Sequence, residues 1–335
     1  MTRTDPGSLR RDGTRSVVAA GIGVVVVGAL VGLAALAPGP VLPTRLQDGL
    51  TLSLSVLIES LPFVVLGVLL SIAVQVWLPP GVLERWMPKR AWARRAVLAL
   101  LGMFIPVCEC GNVPFARGLM MRGFSVPETL TFLIAAPIVN PIVIITTHQA
   151  FGFDDGILVA RLLGGYAIAN LVGWLYSRHT DPDALITDRF RAACAVAEAD
   201  SAGRGRRSLV QFVIELRAVM PALVIGSALA GAVQVLVPRD TLLAIGSNPA
   251  LSIVAMIALA MVVSICSNVD AFFALSFAST FTPGSIAAFL LVGPLIDVKM
   301  LALLRTTFRT RTLAGLIVIV LLSAVVVAVV VNLLA

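Results

Sequence analysis

Charged residues are scarce in this chain of 335 amino acids. Asp, Glu, Lys and Arg make up 13% of the residues, whereas hydrophobic residues make up 59%. Soluble domains contain roughly 25% charged residues, so this composition excludes an ordinary soluble domain. The chain is long enough for roughly seven or more membrane spans of about 20 residues each. We therefore expect a polytopic membrane protein.

Motifs of several enzyme and sensor classes are also missing. The sequence has no Walker A glycine loop, which excludes ATP hydrolysis by this chain. It has no H-E-x-x-H sequence and no nucleophile elbow, so an intramembrane protease or acyltransferase has no support. No arginine-rich span resembles a voltage sensor, and the four cysteines form no disulfide framework. We expect neither an enzyme nor a cofactor.

The charge that is present is mostly positive, with a formal net charge of +7. The basic residues lie in short segments beside apolar runs, where positive charge sets the orientation of membrane spans. For this reason nucleic acid is not an expected partner.

Apolar segments follow one another along most of the chain. We interpret the first as a retained span with a cytoplasmic N-terminus, because its 21 residues are long for a signal peptide. The apolar segments are approximately 17–37, 50–78, 96–124, 128–150, 156–176, 210–237, 250–281, 285–304 and 312–335. The largest hydrophilic break, 177–209, is rich in arginine.

Two halves of the sequence match at a nearly constant offset, which indicates an internal duplication. The run Cys110, Asn112 and Val113 recurs as Cys266, Asn268 and Val269 at an offset of 156. At offset 159, Pro62, Gly67, Gln75 and Pro79 match Pro221, Gly226, Gln234 and Pro238, and at offset 157, Phe132, Pro137 and Asn140 match Phe289, Pro294 and Asp297.

The distribution of arginine and lysine favours inverted halves. If 96–124 and 250–281 each enter and leave the membrane on one side, nearly all basic segments, including 177–209, lie in the cytoplasm. Inverted repeats with broken helices that meet near the midplane are a recurrent transporter plan. Non-helical backbone at that depth must line a cavity or be buried in protein, so both breaks should face a cavity.

The predicted fold class is therefore all-α, a polytopic membrane protein of two inverted repeats, each with a broken, re-entrant helical hairpin. The predicted organisation is a cytoplasmic N-terminus with the first span (1–49), a first permease repeat (50–176), a cytoplasmic linker (177–209), and a second permease repeat with the final span (210–335).

Cysteines at the two breaks are candidates for substrate contact. Cys108 and Cys110 form a C-x-C pair that could chelate a soft species such as trivalent arsenic, Cu(I) or zinc. Cys266 adds a third sulfur if the two hairpins meet. The alternative is that these cysteines only pack, because cysteine is a common small buried residue. Cys194, in the linker, is an incidental thiol.

Ionisable side chains in or beside spans are functional candidates, because they are costly there unless paired or hydrated. Asp270 and Asp297 could relay protons or hold a cation, and the alternative is a structural pair with Lys299 or Arg161. The candidates for coupling or charge are Glu59, Glu109, Asp270, Asp297 and Lys299.

Two asparagines and several prolines mark expected helix breaks. Asn112 and Asn268 either satisfy freed backbone groups or contact substrate, and capping is the commoner role. Proline removes a backbone donor and interrupts helices. The predicted breaks are Pro106, Gly111, Pro114, Pro137, Asn140, Pro141 and Pro294.

Four ordered runs resemble the predicted permease family that includes organoarsenical efflux permeases. They are Pro-Val-Cys-x-Cys-Gly-x-Val-Pro, Ala-Pro-x-x-Asn-Pro, Cys-Ser-Asn-Val-Asp-Ala and Gly-Pro-x-x-Asp-x-Lys, and the resemblance covers roughly residues 50–310. It implies a multi-pass permease of the cytoplasmic membrane and, in the organoarsenical branch, efflux through cysteine contact. Cys108 and Cys110 fall on the paired cysteines of the family. Glu109 stands where serine is frequent, and its negative charge favours a cationic metal.

The predicted function is secondary, proton-coupled efflux of a small thiophilic solute such as a trivalent organoarsenical. One alternative is a permease or membrane subunit for a divalent or soft metal cation, zinc-like, that acts with a partner protein. Another is a scaffold or channel subunit with structural cysteines. The expected partners are the lipid bilayer and the solute or metal ion, and a homo-oligomer or an accessory subunit is left open. The expected location is the cell membrane.

Overall fold

The structure is a computed structural model that describes residues 44–79, 82–105, 108–153, 156–199, 203–236 and 249–334. The predicted first span at 17–37, the predicted break at Pro106 and the matching residue Pro238 lie outside these ranges. Tertiary contacts divide the chain into residues 1–47 and residues 48–335.

The described residues are helical and contain no β-strand, and only an isolated bridge joins Ile186 to Phe308. A π-helix at Ala73–Trp77 follows the first helix directly. The α-helices are α1 (Thr44–Ile72), α2 (Val82–Trp86), α3 (Ala91–Leu101), α4 (Glu109–Met121), α5 (Val126–Val139), α6 (Pro141–Phe151), α7 (Ile157–Tyr176), α8 (Asp188–Ala199), α9 (Arg204–Leu236), α10 (Pro249–Val263), α11 (Asp270–Leu275), α12 (Pro283–Val292), α13 (Val298–Leu304) and α14 (Thr310–Leu334).

Four of the described helical segments are long and apolar enough to cross a membrane: Leu46–Trp77, Ile157–Tyr176, Arg204–Leu236 and Thr310–Leu334. Helices α5 and α6 together form a fifth candidate, bent by 41° at Asn140. Every backbone polar group of a spanning segment must be satisfied internally, which a helix achieves alone. The expected all-α, multi-pass membrane architecture is therefore confirmed.

The centre of the bundle is formed by two short helices whose own composition explains their burial. All residues of α5 are buried, and so are all residues of α12 from Gly284 to Val292. A helix that is apolar on every side belongs in a core. Each begins at a hydroxyl residue, Ser125 or Thr282, and each carries proline in its first turn, which suits a helix start.

The order and packing of elements in the first half recur in the second. Helix α5 packs on α3 and α7, and α12 packs on α10 and α14. The halves also exchange contacts, because α6 packs on α11 and α13 packs on α4. The direction in which each half crosses the membrane stays a prediction.

Several predicted breaks lie elsewhere in the structure. Gly111 and Pro114 are inside α4, and Pro137 is inside α5, so these three predictions are wrong. Each of the two prolines removes one backbone hydrogen bond without ending its helix, and the backbone becomes extended directly before α4 and α6, at Cys108 and Asn140.

Interruptions of the helices lie at three other predicted positions, Asn140, Pro141 and Pro294. Asn140 and Pro141 separate α5 from α6, and Pro294 lies in the turn between α12 and α13. The apolar segment 285–304 is therefore two short helices rather than one span. The hydrophilic segment 177–209 contains α8 and the start of α9.

Candidate functional site

Two interruptions of helices define the site. The first precedes α4, where Cys108 is extended. The second follows α10, where Ser264 has a φ of 49°, a left-handed conformation that is uncommon for a residue other than glycine. The structure brings the two interruptions together, so that Cys108 and Glu109 of the first half lie against Cys266 and Ser267 of the second.

The carboxylate of Glu109 is the centre of this meeting point. Its Oε2 accepts hydrogen bonds from the Ser267 hydroxyl at 3.0 Å, from the Ser267 amide at 3.5 Å and from the Cys266 thiol at 3.9 Å. Its Oε1 lies 3.3 Å from Nζ of Lys299 on α13. The side chain is buried and occupies the first turn of α4, where the helix dipole also favours negative charge.

The thiols of both halves surround this carboxylate. The Sγ atoms of Cys108 and Cys266 and a carboxylate oxygen of Glu109 lie within 4.8 Å of one another, and all three residues are buried. The Cys110 thiol donates to the Ser60 hydroxyl at 3.6 Å, and Lys299 Nζ donates to the same oxygen at 3.5 Å. All three cysteines named from the sequence therefore converge on one site.

Lys299 changes the electrostatics that the sequence indicates for this site. The extra negative charge of Glu109 between the two thiols is matched by a buried ammonium group. Removing one partner of a buried ion pair is strongly destabilising, because the other charge is then left uncompensated. With neutral thiols, the Glu109–Lys299 pair adds no net charge.

Asp270 is held by a different basic residue. Arg161 on α7 donates to both carboxylate oxygens, at 2.9 Å to Oδ1 and 2.6 Å to Oδ2, and also to the hydroxyl of Thr147 at 2.8 Å. A bidentate arginine–carboxylate pair is strong and geometrically specific. It joins α7 to α11, which agrees with the structural alternative considered for Asp270.

Asp297 is the N-cap of α13. Its Oδ1 accepts a hydrogen bond from the Met300 amide. Its Oδ2 is buried and has no hydrogen-bond partner among the described residues. The Ser264 hydroxyl lies beside this carboxylate.

The remaining candidates occupy the edge of the site or lie away from it. Glu59 on α1 is exposed, with Lys299 and Glu109 as its charged neighbours. Asn112 is buried in α4. Asn268 is partly exposed, and its Oδ1 has no partner in the described part of the chain.

Cys194 belongs to α8 in the linker and is not part of the thiol cluster. Its position agrees with the sequence interpretation of an incidental thiol.

Sequence reasoning also missed the buried ion pair between Arg117 and Glu215. Arg117 lies in the apolar segment 96–124, is 2% exposed inside α4, and its Nε lies 2.7 Å from Oε2 of Glu215 on α9. Arg117 also donates to the Thr307 hydroxyl at 3.1 Å and lies 4.5 Å from the ring centroid of Phe190. The sequence did contain a signal for this pair: a basic residue lies within the apolar segment 96–124, and an acidic residue lies within the apolar segment 210–237.

The donor set fits soft or borderline ions and electrophiles. Thiolates bind Cu(I), zinc and similar species, and a carboxylate can complete a zinc site. Cys108, Cys266 and Glu109 are the residues that could hold such a metal ion.

Most of the chain matches a known protein family. The profile of the family ArsP_1, described as a predicted permease, matches residues 45–333. The chain belongs to this family of predicted permeases. The matched region of the permease contains the whole thiol cluster.

Two curated proteins are similar over most of their length. The permease is 36% identical over 260 residues to the UPF0718 protein YcgR of Bacillus subtilis, covering 77% of this chain and 88% of that protein. It is 32% identical over 274 residues to a protein of Streptococcus mutans named a putative two-component membrane permease complex subunit, covering 81% of this chain and 90% of that one. No solved structure matches the permease.

Proposed function

We propose that this permease is a secondary exporter that moves a small thiophilic solute, such as a trivalent organoarsenical, out of the cell in exchange for protons. The proposal places it in the cell membrane with a cytoplasmic N-terminus and inverted halves. The single observation that carries it is the meeting of thiols from both halves, Cys108 with Cys266, around one buried carboxylate.

The chemistry of the cluster suits a neutral arsenical. A trivalent arsenical with two hydroxyl groups exchanges both for cysteine sulfurs, forming two As–S bonds and releasing two water molecules. The thiol protons leave within the water, so the site gains no charge. This balance agrees with a site in which Lys299 already neutralises Glu109.

A metal cation is the second candidate, and the spacing of Cys108, Cys266 and Glu109 favours it. A divalent metal that binds two thiols releases two protons, and its bond to Glu109 would compete with Lys299. The name of the Streptococcus relative suggests that such a permease could act with a second subunit.

The third candidate is a scaffold or channel whose cysteines only pack. It predicts that replacing the thiols leaves the function of the folded protein unchanged.

Resistance assays with cysteine variants test the proposal. In bacteria that lack arsenical and metal exporters, we expect the wild type to raise tolerance to methylarsenite. Cys108→Ser or Cys266→Ser should return tolerance to the level of the empty vector, because one of the two sulfurs is lost. Cys194→Ser, outside the cluster, should behave as the wild type.

The amounts of folded protein in the membrane must be equal for these comparisons. Variants that are folded and fully active would indicate packing cysteines. If the wild type changes tolerance to zinc or copper but not to methylarsenite, the transported solute is the metal cation. A wild type that changes none of the three would contradict the soft-solute proposal.

A further inference from the structure

Asp297 differs from the other buried acids of the described chain. It forms no ion pair within the described residues, although only 1% of its surface is exposed. A buried carboxylate without a counter-ion is strongly unfavourable. The buried acids that do pair with a basic side chain are Glu109, Glu128, Glu215 and Asp270.

The position that matches Asp297 in the first half shows that helix capping needs no charge. Asn140 caps α6, and its Oδ1 accepts a hydrogen bond from the Ile142 amide at 2.9 Å. Asp297 caps α13 in the same way through Oδ1. Asparagine and aspartate are about equally good N-caps. The negative charge and the free Oδ2 of Asp297 are therefore surplus to capping.

The hydroxyl of Ser264 lies beside the Asp297 carboxylate. Ser264 is 3% exposed, and its hydroxyl has no partner other than this carboxylate in the described part of the chain. Ser264 directly follows the C-terminal end of α10. The C-terminal end of a helix carries partial negative charge, so this arrangement favours a cation.

The charged groups near Asp297 leave room for one positive charge. Lys299 on the same helix and Glu109 from α4 are its charged neighbours, and these two groups neutralise each other. From the end of α10, the neighbour is the uncharged Ser264. The cluster of two thiols and Glu109 does not include Asp297.

We propose that Asp297, with the adjacent hydroxyl of Ser264, binds the cation whose inward movement drives export. The ligands are hard oxygens, which suit a proton or a sodium ion rather than a soft metal. Broken transmembrane helices hold coupling ions in this way. Asp270 does not serve, because Arg161 occupies both of its oxygens. The role in export rests on the proposed function, whereas cation binding does not.

Thermal unfolding of the purified full-length protein tests cation binding without any solute. Asp297→Asn and Asp297→Ser remove the charge and keep a capping residue, so both should fold. Asp188→Asn, at an exposed aspartate of the linker, is the matched control. At constant pH and ionic strength, replacing choline with sodium should raise the melting temperature of the wild type and of the control. It should not raise the melting temperature of the Asp297 variants.

A proton at the same site gives a different pattern. Sodium then has no effect, and the wild type and control lose stability as the pH rises, because deprotonation leaves the buried charge unpaired. The Asp297 variants should lack that loss. Either pattern supports the site and identifies the cation. If the Asp297 variants respond to both sodium and pH as the wild type does, the proposal is overturned.

Transport in proteoliposomes tests the coupling. Asp297→Asn should still exchange methylarsenite across the membrane at equilibrium, but an imposed cation gradient should no longer speed its movement, whereas it speeds the wild type several-fold. A variant that follows the gradient as the wild type does would overturn the coupling role. If the wild type moves no thiophilic solute, the proposed function fails, and the unfolding assay still reports on cation binding.

Discussion

Glu109 and Lys299 give the site its charge balance. Their charged groups lie 3.3 Å apart with no more than 2% of either residue exposed, and Glu109 also accepts from Ser267. Because the pair is 190 positions apart in sequence, its effect on the C-x-C motif could not be predicted from that motif. The negative charge of Glu109, which by sequence favours a cationic metal, is neutralised by Lys299.

Single substitutions in this pair should be far more damaging than a double one. Lys299→Met or Glu109→Gln alone should lower the free energy of unfolding by about 3–5 kcal/mol, since each leaves one buried charge unpaired. The double variant should recover much of that loss, because contacting residues are not additive. Thermal unfolding of all four proteins measures the coupling, and additive losses would show that the two charges do not stabilise each other.

Close approach between helices positions the first break. Gly67 on α1 faces the backbone of Gly111 on α4, where a side chain on Gly67 would collide with the Gly111 carbonyl. Its match in the second half, Gly226 on α9, lies against Ala302 and the backbone of Lys299 on α13. The two glycines therefore bring a spanning helix against a site element in each half.

Adding a methyl group at these contacts should separate the helices. Gly67→Ala should destabilise the protein by about 1–3 kcal/mol, the usual cost of overpacking a tight contact. Gly205→Ala is the matched control, because that helical glycine has open space and alanine favours helix by about 0.5–1 kcal/mol. Equal or higher melting temperatures for both variants would contradict the close contact at Gly67.

The sequence predicts helices and the meeting of motifs better than it predicts the ends of helices. The recurrence of Cys110 as Cys266 predicts a shared role for the two breaks if their hairpins meet. Pro114 and Pro137 misplaced the breaks, because buried packing holds α4 and α5 together despite the one backbone hydrogen bond that each proline removes. Ion pairs such as Arg117 with Glu215 depend on which helix faces pack, which residue spacing alone does not determine.

At the scale of the whole molecule, the orientation of the two halves is the main prediction still to be measured. The contacts of α6 with α11 and of α13 with α4 are reciprocal between matched elements of the two halves, and both parallel and inverted halves could make them. Only the positions of loops relative to the membrane distinguish the two arrangements. The inverted arrangement requires residues 117–127 on the cytoplasmic side.

Labelling single cysteines from each side of the membrane distinguishes the arrangements. In a Cys194→Ser background, Ser125→Cys should react with a membrane-impermeant maleimide only from the cytoplasm. Phe153→Cys, at an exposed position beyond α6, should react only from outside. The native cysteines Cys108, Cys110 and Cys266 are buried and should remain unlabelled. Reaction of both introduced cysteines from one side would contradict the inverted topology.

The contact between the linker and the core has a practical consequence for reporter proteins. Phe190 of α8 covers the buried guanidinium of Arg117, so this part of the linker is a component of the bundle rather than a tether. Residues 177–182 are exposed, and exposed loops are the places where inserted domains are tolerated. A fluorescent protein should therefore be inserted there, since an insertion near Phe190 would open a path for water to Arg117 and its partner Glu215.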